Sequence, residues 1–149
     1  MAPTRTRLAV VLALVWLGVV GAGWAASPSA DGATLRVMTF NIRYDNPADG
    51  EDGWAKRKAK VASMIRFHGA DVVGLQEALR NQIADLEAAL PHFGWFGTGR
   101  SAQRDGEHCA VLYRRDRLEV LAESTLWLSE TPDVAGSQGW DAALPRIVT

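Results

Sequence analysis

Two apolar stretches flank a helical pattern in the first half of the chain, and that arrangement constrains the fold more than any other feature. In LRVMTFN, Leu35, Val37 and Thr39 alternate with Arg36, Met38 and Phe40, the period-two spacing of a strand built mostly from strand-favouring residues. YDNPADGEDG, Tyr44 to Gly53, then supplies the Pro, Gly and acidic residues of a loop. WAKRKAKVASMIRFHG follows, with Val61, Ala62, Met64 and Ile65 at helical spacing and Gly69 as its stop. ADVVGLQEA, Ala70 to Ala78, is too short for a helix of its own and reads as a strand buried on both faces. Strand, helix and strand at this spacing form a βαβ unit, whose parallel strands end on one edge. Asn41 and Glu77 stand at those two ends, and ligands of open α/β sheets bind beyond the carboxyl ends of the strands.

Further on, RNQIADLEAAL places Ile83, Leu86 and Leu90 at helical intervals before Pro91, while CAVLYRR, RLEVLAEST and LWLS read as later strands. Cys109, the single cysteine, alternates with Val111 and Tyr113 and reads as a buried strand residue with no intramolecular disulfide partner. Among 149 residues 48% are hydrophobic and 22% charged, which excludes disordered and fibrous classes. The amino terminus differs from the rest. MAPTRTR carries Arg5 and Arg7 and runs into the apolar stretch Leu8 to Ala26, the pattern of a secretory signal with cleavage after Ala25 or nearer Ala22. The rival reading is an uncleaved membrane anchor, because a span needs only ~20 apolar residues. The chain therefore divides into a signal at 1–26, a linker at 27–34 and a domain at 35–149. Its expected location is secreted or periplasmic, with no stable membrane partner unless the signal stays uncleaved. Without Arg5 and Arg7, 14 basic residues face 17 acidic ones, a net charge of −3, which gives no global attraction for a polyanion.

An amide oxygen from Asn41 and a carboxylate from Glu77 are hard ligands that suit Mg²⁺, Mn²⁺ or Ca²⁺ rather than zinc. Two such ligands leave room for waters and phosphate oxygens, as in Mg²⁺ sites used for phosphoryl chemistry. Spacing alone leaves a second reading open, in which Asn41 caps a turn and Glu77 favours the positive end of the next helix. His68, His92 and His108 lack partners at metal-site spacing and read as structural or solvated.

MTFNIRYDNPADGEDGW, VVGLQEAL, GEHCAVLYRRDRLEVL and LWLSETPDVAGSQGWDAALPRIVT together resemble the endonuclease/exonuclease/phosphatase superfamily. These are metal-dependent phosphodiesterases related to pancreatic-type deoxyribonuclease, and the last motif is similar to a bacterial secreted branch. The resemblance runs from Leu35 to Thr149. It implies the four-layer α/β/β/α sandwich of the deoxyribonuclease I-like fold, truncated here to about one sheet with its helices. It further implies Asn41 and Glu77 as ligands of Mg²⁺, with Mn²⁺ as an alternative, Arg43 and Arg146 as phosphate-binding residues, and Glu107 as the acid that orients a catalytic histidine. That histidine, a Gly-Asp-Phe-Asn-like segment and a terminal Asp-His pair have no counterpart in the sequence. The resemblance therefore implies an N-terminal half whose partner would be the missing C-terminal half.

The implied reaction is hydrolysis of a phosphoester, either a small molecule or a nucleic acid, with this fragment inactive by itself. Relatives act on DNA, RNA, poly(A) tails, sphingomyelin, inositol phosphates and sugar phosphates. Acidic charge together with Trp54 and Trp140 favours a small phosphoester, a ring stacking on sugar or base, although both tryptophans read equally as core. The alternative is a half-domain that binds metal or a partner without catalysis.

Overall fold

The computed structural model describes residues 34–149, so the predicted signal and residues 27–33 of the linker lie outside the described residues. The βαβ unit is present. β1 (Val37–Asn41) pairs in parallel with β2 (Val72–Gln76), with Val37 opposite Val72 and Asn41 opposite Gln76. The crossover between them is α1 (Trp54–Phe67). α2 (Arg80–Ala89), β3 (Phe93–Phe96), β4 (Val111–Arg114), β5 (Leu126–Trp127) and β6 (Ile147–Val148) follow. A four-stranded mixed sheet has the order β1-β2-β4-β3, β4 running antiparallel to both neighbours, and β5 and β6 form a separate antiparallel pair.

One sheet face carries the core. Val73, Leu75, Leu112 and Phe93 pack against Val61, Ala62 and Ile65 of α1 and Ile83, Leu86 and Leu90 at α2. The helical spacings read from sequence bury the expected residues except Met64, which stays exposed at the edge of the stripe. At roughly 1.5–3 kcal/mol for each fully buried large apolar side chain, this one face provides most of the driving force for folding. The opposite face presents Val37, Val72, Val111, Tyr113 and Phe96, and among the described residues no helix covers it. Leu118, Val120, Leu121 and Ala122 line an open apolar cavity of about 350 Å³ together with residues of that face.

The structure differs from the sequence reading at three places and decides, at Trp54, between two readings left open. RLEVLAEST contains no strand: β4 already pairs with β2 on one side and β3 on the other, so the segment cannot pair beside the strand it leaves, and Leu121 is 90% exposed. FGWF forms a strand that the sequence reading lacks, since Gly94 interrupts its pattern. The Tyr113 ring lies over Gly94, where a Cβ would come within 2.6 Å of it and the ring would have to shift. Cys109 precedes β4 rather than lying within it and is half-buried, its Sγ 3.5 Å from the Ile147 carbonyl oxygen. Trp54 is core, not a stacking platform: it is buried and donates its indole N–H to Asp85 at 2.8 Å. Trp140 is exposed.

Candidate active site

The carboxyl ends of β1 and β2 carry Asn41 and Glu77 into direct contact. The Asn41 Nδ2 donates to Glu77 Oε1 at 3.0 Å, and the Asn41 Oδ1 accepts the Arg43 backbone N–H at 2.9 Å. Glu77 Oε2 accepts the Tyr44 N–H at 3.3 Å. The carboxyl of Glu77 is held below the usual carboxylate range, first by the Asn41 hydrogen bond, then by the Tyr44 amide and the charges of Arg43 and Arg100, against the opposing effect of burial. Both chain reversals are left-handed, with φ of +57° at Arg43 and +58° at Glu77. Such backbone is costly for a residue with a Cβ and persists only where the surroundings enforce it.

Two residues that the sequence reading did not single out enforce the first reversal. Gln82 is completely buried; its Oε1 accepts the Leu79 N–H at 2.9 Å and its Nε2 donates to the Arg43 carbonyl at 2.9 Å. Arg57 of α1 donates to the carbonyls of Ile42 at 2.6 Å, Arg43 at 3.2 Å and Asp52. Gln82 had a readable signal, because a Gln at the third helical position reaches back to the helix start. Arg57 had none, since its acceptors are backbone carbonyls of distant residues.

Asn41, Glu77, Glu107 and Arg146 line one cleft of about 340 Å³, together with Arg100, His108 and Cys109. The structure thus brings four of the five expected site residues together. Arg43 is elsewhere: its guanidinium makes a two-pronged pair with Asp49, at 3.1 and 3.0 Å, and lines a shallow pocket with Asp52 and Arg57. That pair raises the Arg43 pKa and lowers that of Asp49. Glu107 is paired with Arg100, whose Nη2 lies 2.8 Å from Oε1. His108 is buried and structural: its backbone bridges to Ala78 and Gly99, and its Nδ1 sits 2.8 Å from the Gly106 carbonyl. His68 and His92 are exposed.

The donor set fits a hard divalent cation that takes few ligands from protein. Among the described residues no group of three His, Cys, Asp or Glu side chains is placed to hold a metal. One carboxylate and one amide oxygen at a strand edge suit Mg²⁺, which keeps several waters and binds through one or two protein oxygens plus phosphate.

A model of the Endonuclease/Exonuclease/phosphatase family matches residues 38–145. The chain belongs to this family. Among solved structures, an endonuclease/exonuclease/phosphatase from Bacteroides vulgatus is 47% identical, with a TM-score of 0.74 over 76% of this chain and 44% of that one. The mannosyl-6-phosphatase of Bacteroides thetaiotaomicron VPI-5482 is 43% identical, with a TM-score of 0.73 over 76% of this chain and 43% of its own. A protein from Enterococcus faecalis V583 is 33% identical, with a TM-score of 0.69 over 74% and 43%. No curated protein matches. The chain spans less than half the length of these solved proteins. Its sheet, with helices packed on one face, is the α/β architecture of the family's deoxyribonuclease I-like fold.

Proposed function

We propose that this endonuclease/exonuclease/phosphatase chain carries the metal-binding and part of the phosphate-binding machinery of a Mg²⁺-dependent hydrolase acting on small phosphoesters. The observation that carries the reading is the Asn41–Glu77 contact at the carboxyl edge of two parallel strands, in one cleft with Arg146. Similarity at 43% identity to a mannosyl-6-phosphatase supports a sugar-phosphate type of substrate over a nucleic acid, as does the net charge of −3 that remains without Arg5 and Arg7.

In this proposal Asn41 and Glu77 hold Mg²⁺, with Mn²⁺ as a substitute. When bound, the ion supplies electrophilic stabilisation of phosphate oxygens. Arg146 offers a guanidinium to the phosphoryl group, whose planar donors match phosphate geometry. Arg43 acts through its backbone: its N–H orients the Asn41 amide, and its side chain locks the loop by way of Asp49. Glu107, fixed by Arg100, presents a carboxylate toward a histidine supplied by the longer C-terminal part that family members possess. Activity is therefore expected of a family-length protein and not of these residues alone, and export is expected from the N-terminal signal.

The test is phosphate release from a hexose 6-phosphate and from bis-p-nitrophenyl phosphate by a family-length protein containing this chain. Activity should require Mg²⁺ or Mn²⁺, and Glu77→Gln should lose far more than Arg43→Ala. Undiminished turnover in excess chelator refutes the proposal. Metal binding without turnover on any phosphoester would favour the non-catalytic alternative.

A further inference from the structure

The loop between β3 and β4 places one cation in the cleft that neither the sequence motifs nor the family likeness assigns. Arg100 has its main chain fixed from two sides. Its N–H donates to the Glu107 carbonyl at 3.1 Å, and its carbonyl accepts the Trp127 indole N–H at 2.7 Å. Trp127 is itself buried, with the Arg104 guanidinium 5.4 Å from its ring centre. The approach at Gly99 is so close that a Cβ there would lie 2.0 Å from the Asp105 carbonyl oxygen. The loop is therefore held tightly just where Arg100 leaves it. The Arg100 side chain is 20% exposed, and among the described residues its one side-chain acceptor is Glu107 Oε1, reached through Nη2. A guanidinium carries five N–H donors, so most of its donor capacity is unused by the protein while the group lines the cleft.

We propose that Arg100 is a second phosphoryl-binding guanidinium, working beside Arg146, and that it gives the cleft its preference for a terminal, dianionic phosphate over a phosphodiester. The proposal rests on the hydrolase reading above. The charges of the cleft support it: Glu77 and Glu107 are offset by Arg100 and Arg146, so a divalent cation leaves room for two negative charges. A phosphomonoester near neutral pH brings about two, and a diester only one. Glu107 competes for the same guanidinium and sets its direction, since charge-assisted pairs of this kind are short and oriented.

Binding of inorganic phosphate and of dimethyl phosphate to the chain, in saturating Mg²⁺, tests this by calorimetry. Wild type should prefer inorganic phosphate several-fold. Arg100→Gln should weaken phosphate about tenfold, as expected for one charge-assisted pair, and flatten the preference, while a Mg²⁺-induced thermal shift persists. Glu107→Gln should tighten phosphate, and that gain should shrink in the Arg100→Gln background. If Arg100→Gln does not fold, Arg100→Lys carries the test: it keeps the charge without the planar fork and should lose several-fold. Equal phosphate affinity in wild type and the folded Arg100 variant overturns the proposal and reduces the Arg100–Glu107 pair to a loop clasp. A chain that responds to Mg²⁺ but not to phosphate also overturns it and leaves the metal site standing. No response to Mg²⁺ overturns the function itself.

Discussion

Gln82→Glu separates a buried hydrogen-bonding role from mere space filling. The substitution keeps the shape of the side chain and exchanges one amide nitrogen for an oxygen. One oxygen still accepts the Leu79 N–H, but the other faces the Arg43 carbonyl, where wild type donates. Two acceptors would then meet at hydrogen-bond distance, without water to separate them, because Gln82 is completely buried. The folded state accepts the new carboxyl only when it is protonated and donates. An unperturbed Glu titrates at about 4.3, so keeping it protonated at pH 7 costs about 3.7 kcal/mol.

That cost is a large part of the ~5–15 kcal/mol that stabilises a typical domain, and corresponds to a fall in Tm of roughly 15 °C at about 4 °C per kcal/mol. The sign with pH is fixed by the raised folded pKa: the penalty grows as pH rises above the unfolded value near about 4.3 and fades as pH falls toward it. Thermal unfolding of both proteins from pH 7 to pH 4, compared as the difference in Tm, measures it. A constant difference across that range, or none at pH 7, would show that Gln82 does not donate to Arg43. Because the Arg43 amide orients Asn41, Mg²⁺ affinity should weaken in parallel at pH 7.

Three other outcomes follow from the same structure. Leu75→Ala, at 1% exposure beneath the two helices, should cost about 2–5 kcal/mol in urea denaturation, whereas Leu121→Ala, at 90% exposure, should stay within about 0.5 kcal/mol; similar losses would place Leu121 under cover. Asp71 is buried, and its carboxyl is held below the usual range, first by the Arg36 N–H at 2.9 Å and then by Arg117 and Arg114, against burial. Its contribution is present above the ordinary Asp value of about 3.9 and is lost as pH falls through the lower folded value. Asp71→Asn should therefore lie below wild type at pH 7 and approach it as pH falls below the ordinary Asp value, and an acid limb unchanged by the substitution would remove Asp71 from that account. Glu77→Gln should abolish the stabilisation by Mg²⁺ that mass action predicts for wild type; a persisting Mg²⁺ shift in Tm would place the ion elsewhere.

Periodicity made the first half legible because its contacts are patterned. Alternation in LRVMTFN and the apolar run in ADVVGLQEA gave a parallel pair, and the pair alone brings Asn41 to Glu77. The second half was less legible because pairing there depends on which edges are already occupied. RLEVLAEST has strand chemistry but follows β4, whose two edges are already taken, while FGWF has a Gly at its second position and pairs with β4. Local propensity in a sheet is a statement about fit to neighbours, and neighbours are not local in sequence.

The cleft shows the same division among its charged residues. Asn41, Glu77, Glu107 and Arg146 lie in recognisable motifs and do line one space. Arg43 lies in the same motif as Asn41, yet Asp49, six residues on, captures its side chain and leaves its amide to act. Arg100 sits in a polar loop, GRSAQRDG, of the kind that usually reads as solvated surface. Its direction is set by Trp127, which reaches it from 27 residues away, and by Glu107 across the loop. A motif thus names the residue types that can do phosphate chemistry, whereas the side chain that reaches the phosphate is chosen by which carboxylates and carbonyls the fold has left unclaimed.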